Sequence, residues 1–209
     1  MFRRIFKYVG SNFAKPNGIG GEISTKIMNI MNQKQYKTVL ENINLESNDN
    51  VLDIGFGNGY LLDKLYKQHI PIRLYGIDIS EDMLKKVSEK NRKIIENGDL
   101  KLFLENINKT SFNQNYFDKI YTINTIYFWE DLIKCFSEIK RILKPNGIFI
   151  NVIYSKYFLE KMTIFTKYGY NKYAIEDIVK ITEDNGMKTI GTIEIVKNKS
   201  YCIISKNTK

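Results

Sequence analysis

The sequence predicts an α/β fold: three layers, with helices on both faces of a mostly parallel seven-stranded sheet that closes in a C-terminal antiparallel hairpin. Three observations predict it. Short strand-like runs alternate with stretches of helical spacing along most of the chain, the mark of successive βα units whose strands run parallel. A glycine-rich turn, Gly55-Phe56-Gly57-Asn58-Gly59, joins the first such run to a helical one. Near the end, two strand runs are separated only by Lys197-Asn198-Lys199, a hairpin-like connection.

Taken in order, residues 22–44 carry Ile23, Ile27, Ile30, Met31, Tyr36, Val39, Leu40 and Ile43 at helical spacing, with a break expected near Asn32. The preceding Lys15-Pro16-Asn17-Gly18-Ile19-Gly20-Gly21 reads as a flexible turn, either a connector or part of a lid. Strand one is 50–54, and a helix spans 58–68. Strand two is 72–77, ahead of a helix over 81–95 that opens with Ser80 as cap and acids in its first turn. Strands three and four are 101–105 and 117–124. A helix over 130–143 is broken by Pro145-Asn146-Gly147, and strand five is 148–154. Residues 155–173, with Tyr154 beside them, form an aromatic insertion that reads either as the other half of a substrate lid or as a local mini-core. A helix over 174–185 ends on Gly186 as a left-handed cap, and the last strands are 188–196 and 200–205.

Composition narrows the class. The 209 residues suit one domain with a real core, and three prolines with no Ser/Gly-rich linker give no boundary within 1–209. No apolar run approaches the roughly 20 residues that span a bilayer. Cys135 and Cys202 have no CxxC partner and read as small core residues of a reducing, cytoplasmic compartment. His69 is the only histidine and sits in a polar connection, so no metal site and no histidine-based nucleophilic mechanism is expected. The formal net charge of +9 is mostly lysine spread along the chain, without a dense basic block. Nucleic acid is therefore not the expected partner.

Residues 51–62, Val-Leu-Asp-Ile-Gly-Phe-Gly-Asn-Gly-Tyr-Leu-Leu, carry most of the functional signal. Glycines let the backbone approach a ligand and adopt positive φ. The following helix turns free N–H groups toward the turn. A dinucleotide fingerprint needs G-x-G-x-x-G, but here the third glycine comes one residue early and Tyr60 takes its place. Asp53, just before the glycines, would repel a pyrophosphate and suits an ammonium group, which S-adenosylmethionine has. Strand two ends in Asp78, about twenty residues past the turn, where an acid can accept both hydroxyls of a ribose.

Asp53-x-Gly55-x-Gly57-x-Gly59 resembles motif I of the class I, Rossmann-like S-adenosylmethionine-dependent methyltransferases. Gly76-Ile77-Asp78-Ile79-Ser80 with Met83 is similar to the segment in which the residue after the acid and the later Met flank the adenine, here Ile79 and Met83. Ser137 to Gly147 resembles the family's post-motif, with Asn146 in place of a glycine. The resemblance covers roughly residues 45–205. It implies one methyltransferase domain, with 1–45 as a helical or lid segment and 46–209 as the catalytic core. The resemblance also places Asn106 and Ile107 against the adenine. It brings Phe56, Asn58 and Asn124 into the cofactor site.

The residues after strand four, Asn124-Thr125-Ile126-Tyr127-Phe128-Trp129, should overhang the transferred methyl group. Tyr127 and Trp129 are expected to wall the acceptor, whereas Phe128 is expected to pack on the sheet. The prolines of the N-P-P-Y motif of amino-directed methyltransferases are absent. The segment looks more like small-molecule methyltransferases of the ubiquinone/menaquinone-biosynthesis type. The resemblance implies methyl transfer from S-adenosylmethionine to a small molecule by in-line displacement. The alternatives are an RNA or protein acceptor, or a non-catalytic cofactor-binding partner protein. No catalytic base is identified; Glu130, Asp131 and Tyr127 are its candidates.

Overall fold

The structure is a computed structural model that describes residues 18–162 and 170–208. Its elements, in chain order, are α1 (Gly18–Asn42), β1 (Asn50–Ile54), α2 (Tyr60–Tyr66), β2 (Arg73–Asp78), α3 (Glu81–Lys90), α4 (Arg92–Glu96), β3 (Leu100–Leu104), β4 (Phe117–Ile123), a 3-10 turn (Ile126–Phe128), α5 (Leu132–Ile142), β5 (Leu143–Tyr154), α6 (Lys156–Lys161), α7 (Ile175–Asp184), β6 (Met187–Val196) and β7 (Ser200–Asn207). The seven strands form one sheet in the order β3-β2-β1-β4-β5-β7-β6. All pairings are parallel up to β5, and β7 runs antiparallel to both β5 and β6.

Each face of the sheet is apolar, as a parallel sheet covered on both sides requires. On one face Leu52, Ile77, Ile120 and Phe149 pack under α5 and α7 through Phe136, Ile139 and Ile178. The other face, with Val51, Leu74, Ile150 and Val152, is covered by Val39 and Ile43 of α1, Leu61 and Leu65 of α2, and Val87 of α3. The helices bury the stripe that 3.6-residue spacing dictates. In α5 the buried set is Cys135, Phe136, Ile139 and Ile142, at i, i+1, i+4 and i+7.

Several boundaries differ from the sequence reading. Helix α1 runs without a break at Asn32 and takes in Gly18 to Gly21, expected as a turn; Lys15 to Asn17 lie outside the described residues. Helix 81–95 is two helices. Asn91 ends α3, turning its side-chain amide onto the Val87 carbonyl at 3.0 Å. Strand β5 starts at Leu143: the chain pairs with β4 there, loops out at Pro145-Asn146-Gly147 with Asn146 at φ 64°, and resumes pairing at Ile148. In the aromatic insertion, Ser155 caps α6, while Phe165 and Tyr168 lie outside the described residues. Gly186 does take the left-handed conformation, φ 76°, that the sequence predicts.

Candidate active site

Strand order reverses between β1 and β4, and in an open α/β sheet the crevice at such a point binds ligands. A cavity of about 320 Å³ lies there, at the carboxyl ends of β1, β2 and β4 and under α1. Of the residues that the sequence assigns to cofactor and substrate, all but Gly59 line it: Asp53, Gly55, Phe56, Gly57, Asn58, Asp78, Ile79, Met83, Asn106, Ile107, Asn124, Tyr127 and Trp129.

The three glycines of the turn have positive φ for different reasons. They lie at 75° (Gly55), 52° (Gly57) and 69° (Gly59). A Cβ on Gly55 would overlap the Thr125 side chain, and one on Gly59 would come within 2.7 Å of Val87 Cγ1. These two serve packing, and Gly59 starts α2 away from the cavity. A Cβ on Gly57 would meet nothing within 4 Å, so the backbone there borders open space into which a ligand fits. Asn58 stiffens the turn: its Oδ1 accepts from Tyr60 N at 3.0 Å, and its Nδ2 donates to Asn29 of α1 at 2.9 Å.

Asp78 ties β2 to this turn. Its Oδ2 accepts from Gly57 N and its Oδ1 from Ser80 N, both at 2.9 Å. Burial raises its pKa, and the backbone donors pull it back toward the ionised form. A carboxylate oxygen has two lone pairs, so each remains able to accept a further hydroxyl. Asp53 sits deeper, 5% exposed, and accepts from the Tyr121 hydroxyl at 2.8 Å. Burial pushes its carboxyl up to about 8; the Tyr121 hydroxyl opposes the shift and the charge of Asp78 adds to it.

Beyond Asp78, Ile79 stands 51% exposed at the cavity beside buried Met83 and Ile107, an apolar slot of the kind a flat ring fills. Asn106 lines the same end and uses Oδ1 to accept from Asn108 N at 3.1 Å. Among the described residues, no cluster of three or more His, Cys, Asp or Glu is placed to hold a metal ion.

The opposite end is aromatic. Asn124, at φ 59°, donates to Gln35 at 2.7 Å and Asn32 at 3.3 Å of α1. Tyr127 is core as well as wall: its hydroxyl receives the Tyr154 N–H and lies 3.3 Å from Asn124 Oδ1. Trp129 packs edge-on to Phe136 with centroids 6.0 Å apart. Phe128, expected on the sheet, instead is half-buried, faces the cavity and meets Tyr170 at 4.8 Å. Burial lifts the phenols of Tyr36 and Tyr170 to about 12 and those of Tyr127 and Tyr154 further, so at neutral pH they are hydrogen-bonding groups, not bases. The carboxylates proposed as bases lie elsewhere. Asp131 caps α5, accepting from Lys134 N at 3.0 Å, and Glu130 is exposed; neither lines the cavity.

The sequence reading missed Met31, Asn32 and Tyr36 of α1 and Tyr121 of β4, which line the cavity, while Tyr154, read with the aromatic insertion, lines it at the end of β5. For α1, residues 31, 32 and 36 share a helix face with the core residues Val39 and Ile43, which gave no reason to single them out. For Tyr121 the signal is the parallel register that pairs it with Asp53.

With this geometry in place, relatives define the class. A family described as methyltransferase domain matches residues 52–151, which hold the glycine turn, Asp78 and the loop after β4. The chain is 30% identical over 125 residues to the uncharacterized methyltransferase YdaC of Bacillus subtilis strain 168, covering 60% of this chain and 67% of that one. It is 31% identical over 113 residues to the ubiquinone/menaquinone biosynthesis C-methyltransferase UbiE of Rickettsia prowazekii strain Madrid E, covering 52% and 46%. The chain thus spans about half to two thirds of the length of these relatives. A solved complex between the Haloferax volcanii Trm112 methyltransferase activator and a methyltransferase has the same fold, with TM-score 0.74, 18% identity and 98% of both chains covered. The chain belongs to the class I S-adenosylmethionine-dependent methyltransferases. S-adenosylmethionine is the cofactor of that class.

Proposed function

We propose that the chain transfers a methyl group from S-adenosylmethionine to a small-molecule acceptor. One observation carries the reading: the cavity is divided. Its carboxylates, Asp53, Asp78 and Glu105, stand on the β1–β3 side, and rings of Phe128, Trp129, Tyr154 and Tyr170 wall the β4–β5 side. The first half suits a nucleoside with a cationic tail; the second suits an apolar, ring-sized acceptor.

Each residue of the first half then has a role. Asp78 would accept the ribose hydroxyls, and Asp53 would face the ammonium group. The backbone of Gly55 to Gly57 would border the amino-acid portion. Ile79, Met83 and Ile107 would enclose the adenine, with the Asn106 side-chain carbonyl toward its amino group. When bound, the cofactor supplies a methyl group activated on a sulfonium. The chain's task is to hold an acceptor in line with it, and alignment alone reaches effective molarities of roughly 10⁵–10⁸ M in favourable cases. The aromatic wall excludes water and favours positive charge at the ring faces. Because the phenols of this wall hold their protons at neutral pH, the described wall suits an acceptor whose attacking atom needs no proton removed by the protein.

A second reading, a macromolecular acceptor met with a partner chain, is favoured by the net charge of +9 and by the fold shared with the Trm112-bound methyltransferase. Transfer of radiolabelled methyl from S-adenosylmethionine decides between them, with small phenols, quinols and amines assayed against transfer RNA and a peptide pool. Labelling of small acceptors by the chain alone supports the proposal. Labelling of RNA or peptide alone overturns it.

A further inference from the structure

Asp53 ends β1 at the base of the cavity, and the register of β1 and β4 sets Tyr121 directly beside it. The Tyr121 hydroxyl donates to Asp53 Oδ2 at 2.8 Å, and its ring is fully buried among Val51, Ile150 and Val152. The other titratable groups acting on this carboxyl are Asp78 from β2 and Tyr36 from α1, a like charge and a neutral phenol. Tyr121 is therefore the neighbour that favours the ionised form.

We propose that Tyr121 is a positioning residue for cofactor capture: its hydroxyl orients the Asp53 carboxylate toward the ammonium group of the cofactor, so that binding expels a proton from Asp53 to solvent. The inference rests on the cofactor reading above and adds a residue and a proton to it. Burial favours a protonated Asp53 in the empty site, with a pKa of about 8. An incoming ammonium reverses that preference, because an opposite charge at short range favours the carboxylate. The phenol itself keeps its proton, since burial and the adjacent acid both raise its pKa. Without the hydroxyl, Oδ2 would be a desolvated oxygen lacking its donor, and ionising Asp53 would cost more.

The test is calorimetric titration of S-adenosylhomocysteine and of methylthioadenosine, which lacks the amino-acid portion, into wild type, Tyr121→Phe and Asp53→Asn. Titrations run from about pH 5.5 to about pH 7.5 in buffers of different ionisation heat. For wild type, S-adenosylhomocysteine should tighten toward about tenfold per pH unit with release of about one proton. Methylthioadenosine should not respond to pH. Tyr121→Phe should weaken S-adenosylhomocysteine roughly tenfold at neutral pH and move its profile upward. Asp53→Asn should abolish the pH dependence. Unchanged methylthioadenosine binding in both variants shows that the adenosine half is still folded. Equal losses for the two nucleosides, or a flat wild-type profile for S-adenosylhomocysteine, would overturn the inference. If folded wild type binds neither nucleoside, the cofactor reading itself fails and takes this inference with it.

Discussion

Asp53 and Asp78 are carboxyls whose pKa burial raises, by cost of ionisation in a desolvated site. A carboxyl with a raised folded pKa keeps a proton that the unfolded chain loses. Its contribution is fully present below the ordinary carboxylate range and is lost as pH rises toward the folded value. For Asp53 that window runs from about 4 to about 8. The unliganded wild type should therefore lose thermal stability relative to Asp53→Asn as pH rises through this window. Melting curves of both proteins check it; parallel curves would contradict the assignment. Asp53 and Asp78 were legible in the sequence because each ends an apolar run at a set distance from a glycine turn. Tyr121 was not, because only strand register reveals what lies beside a buried acid. Phe128, expected on the sheet, lines the cavity instead, and Tyr127 lines it while also packing in the core.

The elements make separable predictions. Gly55→Ala combines φ 75° with overlap on Thr125 and should cost about 3 kcal/mol or more in a denaturant melt. Gly57→Ala has only its left-handed backbone to accommodate, about 1–2 kcal/mol, yet it fills the space bordering the proposed cofactor. It should therefore fold and bind S-adenosylmethionine at least tenfold more weakly. The reverse pattern, an unstable Gly57→Ala that binds normally, would contradict the division of labour in this turn. Asp131→Ala removes the cap of α5 and should cost about 1 kcal/mol while leaving cofactor affinity unchanged. Strand and helix types were readable because hydrophobic period separates them. The break at Asn91 and the bulge at Asn146 were not, because each depends on a single residue, Asn91 through its side-chain bond to the Val87 carbonyl and Asn146 through its positive φ.

Across the whole molecule, the sheet order puts β1 beside β4 and so sets the cavity at the reversal point; alternation of strands and helices made this architecture predictable. The roof was less predictable. Helix α1 reaches the cavity through amide contacts from Asn29 to Asn58 and from Asn32 and Gln35 to Asn124, which no periodicity encodes. The distribution of polar groups in the cavity then decides what it takes. Calorimetric titration of S-adenosylmethionine, with NAD in parallel, into wild type and Asp78→Ala tests that most directly. Wild type should bind S-adenosylmethionine with micromolar affinity and not bind NAD, and the variant should bind at least tenfold more weakly, the order expected when hydrogen bonds to a carboxylate are lost. Failure of folded wild type to bind S-adenosylmethionine, or an affinity untouched by Asp78→Ala, would contradict the cofactor reading.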